Sequence, residues 1–207
     1  MDDRLLEAAR AAKGFMPDDE GLALYDNALD SGRLGPLLEI GTYCGKSAVY
    51  LGAAARRAGT VLFTVDHHRG SEENQAGWDH HDHEVVDPET GRMDTLPFFR
   101  RTIQAADLED VVVGVVGSSV AVARVWRTPL GFLFIDGGHG EAVALADYTH
   151  WSPHVIAGGT LAIHDVFEDP SEGGQAPFHM WQRAVSDGFE PVSTTGSLRV
   201  LRNATSR

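Results

Sequence analysis

The 207-residue sequence predicts a doubly wound α/β fold: a mostly parallel, seven-stranded sheet with helices on both faces, closed by a C-terminal antiparallel hairpin. Three observations lead there. Short apolar runs alternate with helical patterns along the chain, the order that builds a parallel sheet covered by helices. Each run is nearly all apolar, as strands buried on both faces are. The tail FEPVSTTGSLRVLR instead carries two alternating runs about Thr195-Gly196, a hairpin signal.

In chain order, two helices over about 2–13 and 18–30 precede the first strand run, 36–40 (PLLEI). A helical pattern over 45–58 leads to the second run, 60–65 (TVLFTV). Helices over 94–106 and 118–126 flank the third run, 111–116 (VVVGVV). The fourth run, 131–135 (GFLFI), precedes a helix over 140–151. The fifth, 159–163 (GTLAI), precedes a helix over 174–187 and the hairpin. One connection is too long for a compact domain, where loops beyond about 15 residues are uncommon. It spans 67–93, holds Trp78 and five of the ten histidines, and reads as a lid or a subunit-contact loop.

The bulk numbers suit one domain, 1–207, with a real core: 43% apolar and 23% charged residues. A net charge of −13 is poorly suited to tracking a phosphate backbone, so nucleic acid is not expected as a partner. No apolar run approaches the roughly 20 residues that span a bilayer. The start, MDDRLLEAAR, is charged and lacks a signal-peptide core. Cys44 is the one cysteine, which excludes an internal disulfide. The expectation is a cytoplasmic protein with a small-molecule partner, without a membrane, and a homodimer as the commonest assembly.

The first strand run ends in LLEIGTYCGKSAVYLG, residues 37–52. A phosphate-binding P-loop needs four residues between its glycine and its Gly-Lys pair, and only Thr42, Tyr43 and Cys44 separate Gly41 from Gly45. Glu39 would oppose a bound phosphate. The dinucleotide fingerprint fails at position 43, which is tyrosine. A cationic ligand without phosphate tolerates Glu39, and S-adenosylmethionine is one: its amino group suits that carboxylate, directly or through water. Gly41 admits a close backbone, and the helix start that follows, with Thr42, Tyr43, Gly45 and Ser47, offers amides and a hydroxyl to the ligand's carboxylate. Asp66 ends strand two, where α/β nucleotide sites place an acid on ribose. His67 follows it and reads as a cofactor contact, and Gly117, Ser118 and Ser119 would line the adenine side. The competing reading of Gly41 and Gly45 is a plain strand–helix turn. Lys46 reads as exposed, and Cys44 as packing.

E-x-G-x-x-x-G after strand one, an acid after strand two, FIDGGH and then GGTLAIHD together resemble a class I S-adenosylmethionine-dependent methyltransferase. More narrowly, the chain is similar to small bacterial enzymes with D-G-x-H and H-D motifs, related to antibiotic-sugar and catechol-type metal-dependent O-methyltransferases. The resemblance covers about 36–166 and implies a Rossmann-like fold. Asp136 and Asp165 end neighbouring strands, about 5 Å apart across the ladder, and would repel without a proton or cation between them. By resemblance, a divalent ion sits at Asp136 and Asp165, with His164 as third ligand where catechol-type relatives carry an acid. The spacing of 28 residues from Asp136 to His164 is the one expected. Oxygen ligands favour Mg²⁺, with Mn²⁺ or Ca²⁺ as alternatives, and a histidine shifts preference toward Mn²⁺, Fe²⁺ or Zn²⁺. The competing reading is hydrogen-bonded loop acids and no ion.

His139 and Asp136 are the candidate catalytic pair, with His139 as general base or substrate hydrogen-bonder, against a local helix-start histidine. His80 and His83 lie one helical turn apart, beside Asp79 and Asp82, but DHHDHEVVD has no apolar period and reads as a solvated acidic loop. Phe98, Trp151, Phe178 and Trp181 either line a pocket or fill the core, and Trp151 is assigned to packing. Residues 168–181 are expected to cover the acceptor. The reading is methyl transfer to a hydroxyl of a small molecule, with a divalent metal. The alternatives are a metal-independent N- or C-methyltransferase and a non-catalytic S-adenosylmethionine-binding protein. Hydrolase and dehydrogenase are disfavoured: neither G-x-S-x-G nor G-x-G-x-x-G appears in place.

Overall fold

A computed structural model of the chain describes residues 1–71 and 82–205. The seven strands are β1 Leu37–Ile40, β2 Leu62–Asp66, β3 Val112–Val116, β4 Leu130–Ile135, β5 Val155–Ile163, β6 Phe189–Thr195 and β7 Leu198–Asn203. They form one sheet in the order β3-β2-β1-β4-β5-β7-β6. The first five run parallel. β7 lies antiparallel to both β5 and β6, so it alone is reversed. This is the doubly wound sheet with a closing hairpin that the sequence predicts.

The helices are α1 Asp3–Ala11, α2 Asp18–Ser31, α3 Lys46–Ala58, α4 Leu96–Ala105, α5 Ser119–Ala123, α6 Glu141–Trp151 and α7 Ala176–Ser186. Successive strand residues point to opposite faces, and each face has its own core. Leu37, Leu62, Phe132 and Phe134 pack with α1 to α4. Leu38, Val65, Leu133 and Ile163 pack with α5 to α7.

Two elements differ from the sequence reading. α5 is five residues rather than nine, because Trp126 leaves the helix and packs edge-on against Phe63 and Trp151, with ring centroids at 5.0 and 5.4 Å. β5 starts four residues earlier than expected, at Val155, and its register against β4 shifts before Thr160. The glycines at 158 and 159 had masked that extension.

Register aligns the site. Ile40 pairs with Val65 and Ile135, and Ile135 pairs with Ile163. The next residues, Gly41, Asp66, Asp136 and His164, therefore leave the sheet as a row at its carboxyl edge. The strand order reverses between β1 and β4, and open α/β sheets bind ligands at such a switch point.

Candidate active site

A cavity of about 510 Å³ opens at that edge, within the range of small-molecule sites. Gly41 is required there by packing as well as by its φ of 88°: a Cβ would stand 2.1 Å from the Asp136 carbonyl oxygen. The turn is thereby pressed against the end of β4.

Asp66 organises this turn. Its Oδ2 accepts from the backbone amides of Thr42 and Tyr43, both at 2.9 Å, and its Oδ1 from the His68 amide at 2.7 Å. The Thr42 and Tyr43 amides, expected to face a ligand carboxylate, thus point at Asp66, while both residues still line the cavity. Tyr43 and His68 hold positive φ, at 48° and 58°, and such backbone strain gathers at binding sites. His67 lines the cavity. His68 is buried against Thr95 Oγ1 at 2.8 Å, and burial holds its imidazole below the ordinary range.

Glu39 lies beneath the cavity wall and is fully buried. Ser47 Oγ and Thr64 Oγ1 each donate to it at 2.5 Å. Burial outweighs those two donors and pushes its carboxyl up to about 8. Ser47 lines the cavity and Glu39 does not, so the Ser47 hydroxyl stands between that carboxyl and the cavity. Gly45 does not line it either and starts α3 at φ 91°. Gly117, Ser118 and Ser119 form the wall beyond Asp66. Lys46 borders the cavity rather than standing apart from it.

Asp136, His139, His164 and Asp165 line the opposite end. Asp165 has a φ of 55°, so the chain turns as β5 ends and both residues of the His-Asp pair border the cavity despite strand alternation. His164 is 4% exposed and engaged at both ring nitrogens: Nδ1 lies 3.1 Å from Asp136 Oδ1 and Nε2 lies 2.5 Å from Glu20 Oε2. Burial alone would lower its pKa, but Asp136, Asp165 and Glu20 drive it far above the ordinary range and favour the protonated ring. Burial likewise opposes ionisation of Asp165, yet hydrogen bonds from His139 and His164 hold it well below the usual carboxylate range. Burial raises Asp136, with His164 opposing. One atom each of Asp136, His139 and Asp165 lie within 4.8 Å of one another, a spacing that would suit a cation. His139 Nε2 is 3.2 Å from Asp165 Oδ2. The third member of the compact set is thus His139, whereas His164 is turned to carboxylates.

Sequence reasoning missed three features. Glu20 comes from α2, 144 residues from His164, and only tertiary packing joins them. Asp147 on α6 is buried in the cavity wall, where Ser119 Oγ donates to it. The α1–α2 connection supplies Lys13, Gly14, Phe15 and Met16 to the wall, with the Phe15 ring 5.6 Å from Tyr43. The segment 168–181 does not line the cavity. Phe98, Trp151, Phe178 and Trp181 lie outside it too: Trp151 is fully buried in the core, and Phe178 stacks on Trp181 at 5.8 Å. Cys44 is buried with Val85 and Met93, and burial raises its thiol to about 12, which suits packing. Of the long connection, His83–Val85 form a 3-10 turn, and Asp82 accepts from Lys13 Nζ at 2.5 Å. Trp78, Asp79, His80 and His81 lie outside the described residues.

Fold and cleft together define a doubly wound α/β protein whose acid-edged small-molecule cavity sits at the switch point. More particularly, residues 38–166 match the model of the methyltransferase domain family, and the chain belongs to that family. Solved structures share the fold at low identity. The O-methyltransferase from Bacillus cereus in complex with SAH is 18% identical, with a TM-score of 0.63 over 98% of this chain and 92% of that one. TomG from Streptomyces achromogenes, an O-methyltransferase of tomaymycin synthesis in complex with SAM, is 16% identical, with a TM-score of 0.65 over 99% and 91%. The SAH-bound methyltransferase PaMTH1 from Podospora anserina is 15% identical, with a TM-score of 0.67 over 98% and 88%.

Proposed function

We propose that the protein transfers a methyl group from S-adenosylmethionine to a hydroxyl of a small molecule. The observation that carries this is the charge layout of the cavity. Its two ends are set by acids, Asp66 at one and Asp136 with Asp165 at the other, and Glu39 lies behind Ser47. Such a site favours a ligand bearing a sulfonium and an ammonium over a nucleotide phosphate. The solved relatives complexed with SAM or SAH support the same reading.

The ammonium would donate to Ser47 Oγ, whose own proton goes to Glu39. Asp66 would accept from the ribose, and Gly117 to Ser119 would flank the base. That placement directs the methyl toward Asp136 and His139. The acceptor oxygen attacks the methyl carbon in line, the carbon–sulfur pair stays on sulfur, and S-adenosylhomocysteine leaves. Alignment supplies most of the acceleration. Asp136, His139 and Asp165 would hold a divalent cation, Mg²⁺ by their oxygens and Mn²⁺ by the histidine, and its chemistry when bound is a lowered hydroxyl pKa.

One observation favours a second, metal-independent version. His164 Nδ1 lies 3.1 Å from Asp136 Oδ1 and 3.5 Å from Asp165 Oδ2, so its protonated ring would supply the positive charge that a metal would otherwise bring. His139 is then the group that takes the hydroxyl proton, with Asp165 Oδ2 at 3.2 Å stabilising the resulting imidazolium.

Calorimetry with S-adenosylmethionine and S-adenosylhomocysteine, with and without Mg²⁺, tests the cofactor: micromolar binding is expected, and none would end the proposal. EDTA decides between versions. Loss of turnover restored by Mg²⁺ or Mn²⁺ selects the metal. Unchanged turnover together with a kcat lowered about 10²- to 10⁴-fold in His139→Ala selects the base.

A further inference from the structure

Glu20 does not reach the cavity, yet it grips a residue that does. It is buried on α2, and its Oε2 lies 2.5 Å from Nε2 of His164, which lines the cavity. Two glycines let it arrive. A Cβ at Gly21 would run into the Tyr50 ring, so the missing side chain seats α2 closely on α3. A Cβ at Gly196, in the β6–β7 turn at φ 51°, would overlap Glu20 Oε1. Donors meet the carboxylate there: the Ser197 amide donates to Oε1 at 2.5 Å and the Ser197 hydroxyl to Oε2 at 3.3 Å. An ionised carboxylate only accepts, so this contact calls for a proton on His164 Nε2 and leaves Nδ1 turned to the acids.

The far side of that ring meets the groups proposed for the chemistry. Nδ1 lies 3.1 Å from Asp136 Oδ1 and 3.5 Å from Asp165 Oδ2. The same Asp165 oxygen lies 3.2 Å from His139 Nε2. Asp165 holds a φ of 55°, and a non-glycine residue keeps such a conformation only where its surroundings over-determine it. Both of its neighbours are pinned. Glu20 grips the ring of His164, and the Val166 amide donates to the Ser197 carbonyl at 3.0 Å. Ser197 also donates its own amide to Glu20, so the bracket around Asp165 closes on itself. Removing the Glu20 carboxylate opens it.

We propose that Glu20 is a positioning residue of the active site: through the His164 ring it sets Asp165 Oδ2, and with it His139, in place for the acceptor. This rests on the methyl-transfer reading and adds to it a residue from α2 that touches neither cofactor nor acceptor. A small misplacement of a group that aligns a substrate costs about 10²-fold in rate. With any hydroxyl acceptor that the protein turns over, Glu20→Ala therefore lowers kcat by about 10²-fold and leaves the KM for S-adenosylmethionine within about twofold. A loss confined to that KM overturns the proposal.

The direct test is NMR of the histidine ring nitrogens, at one pH, in the ligand-free full chain, in Glu20→Ala and in Glu20→Gln. Glu20→Ala is expected to move the His139 signals, although Glu20 does not touch that ring, and to leave His68, at the Asp66 end, where it was. Glu20→Gln keeps the length and one acceptor oxygen, so it restores His139 in large part. Unmoved His139 signals in a folded Glu20→Ala overturn the proposal, and so does an equal movement of His68, which marks general loosening. If Glu20→Ala does not fold, Glu20→Asp, one methylene short of the ring, decides by the same signals. Calorimetry with S-adenosylhomocysteine separates the two readings. Its affinity is expected to stay within about twofold in Glu20→Ala, because the contacts proposed for it at Ser47 and Asp66 are remote. No binding by the unaltered protein ends the methyl-transfer reading and the purpose assigned to Glu20 with it, whereas binding with unmoved His139 signals ends this inference alone.

Discussion

At the residue scale, Glu39 shows how burial converts a recognisable motif residue into a titrating group. Its carboxyl rises from the ordinary 4.5 to about 8 because no water reaches it and two hydroxyls compensate only partly. A raised carboxyl binds its proton in the folded state while the unfolded state has lost it. Stability from this group is therefore complete below about 4.5 and is lost as pH rises through about 8. The ligand-free protein should lose about 1.4 kcal/mol per pH unit across that window from this one group. Glu39→Gln keeps the shape without the titration, so its urea-unfolding free energy between pH 5 and 8 should be flatter by that slope. Parallel curves for the two proteins would show that Glu39 is ionised throughout. The motif itself is legible in sequence because E-x-G-x-x-x-G is local. That Ser47 stands between Glu39 and the cavity is not, since it depends on how α3 docks.

At the element scale, the reach of α2 into the site is the clearest case of what sequence conceals. Glu20 packs in the third residue of α2, accepts from the Ser197 amide at 2.5 Å and from His164 Nε2. Burial opposes its ionisation, but His164 and Ser197 outweigh that and hold its carboxyl below the usual value. One side chain thereby ties a helix, the β6–β7 turn and the end of β5. Acidic residues in a first helical turn are common, so nothing local marks Glu20 out. The strands, by contrast, are legible because an apolar run buried on two faces has few other uses. Glu20→Ala would leave His164 Nε2 facing an empty buried space. Removing one partner of a buried pair costs roughly 3–5 kcal/mol, so the denaturation midpoint should fall accordingly and Glu20→Gln should fall less. A surface-sized loss, under about 0.5 kcal/mol, would mean that His164 is held by Asp136 and Asp165 alone.

At the scale of the whole molecule, the cavity draws on almost every layer of the fold. Its walls come from the α1–α2 connection, the carboxyl ends of β1, β2, β4 and β5, the α5 start and α6. The two cores share one sheet, so a ligand in this cavity bridges helices belonging to both faces. Binding should then stabilise the molecule as a unit rather than one flap of it. A ligand at about 100 times its Kd adds about 2.7 kcal/mol to unfolding. For a chain of this length each kcal/mol moves Tm by about 2–4 °C, so S-adenosylhomocysteine should raise Tm by roughly 5–10 °C in a single sharpened transition. ATP at the same concentration should leave Tm unchanged, because Asp66, Asp136 and Asp165 oppose phosphates and the three-residue glycine turn lacks the P-loop count. Net charge of −13 adds to that opposition at low salt. A shift with ATP and none with S-adenosylhomocysteine would reverse the assignment of the cleft, because the same glycine turn would then be holding an anion in spite of the acids around it.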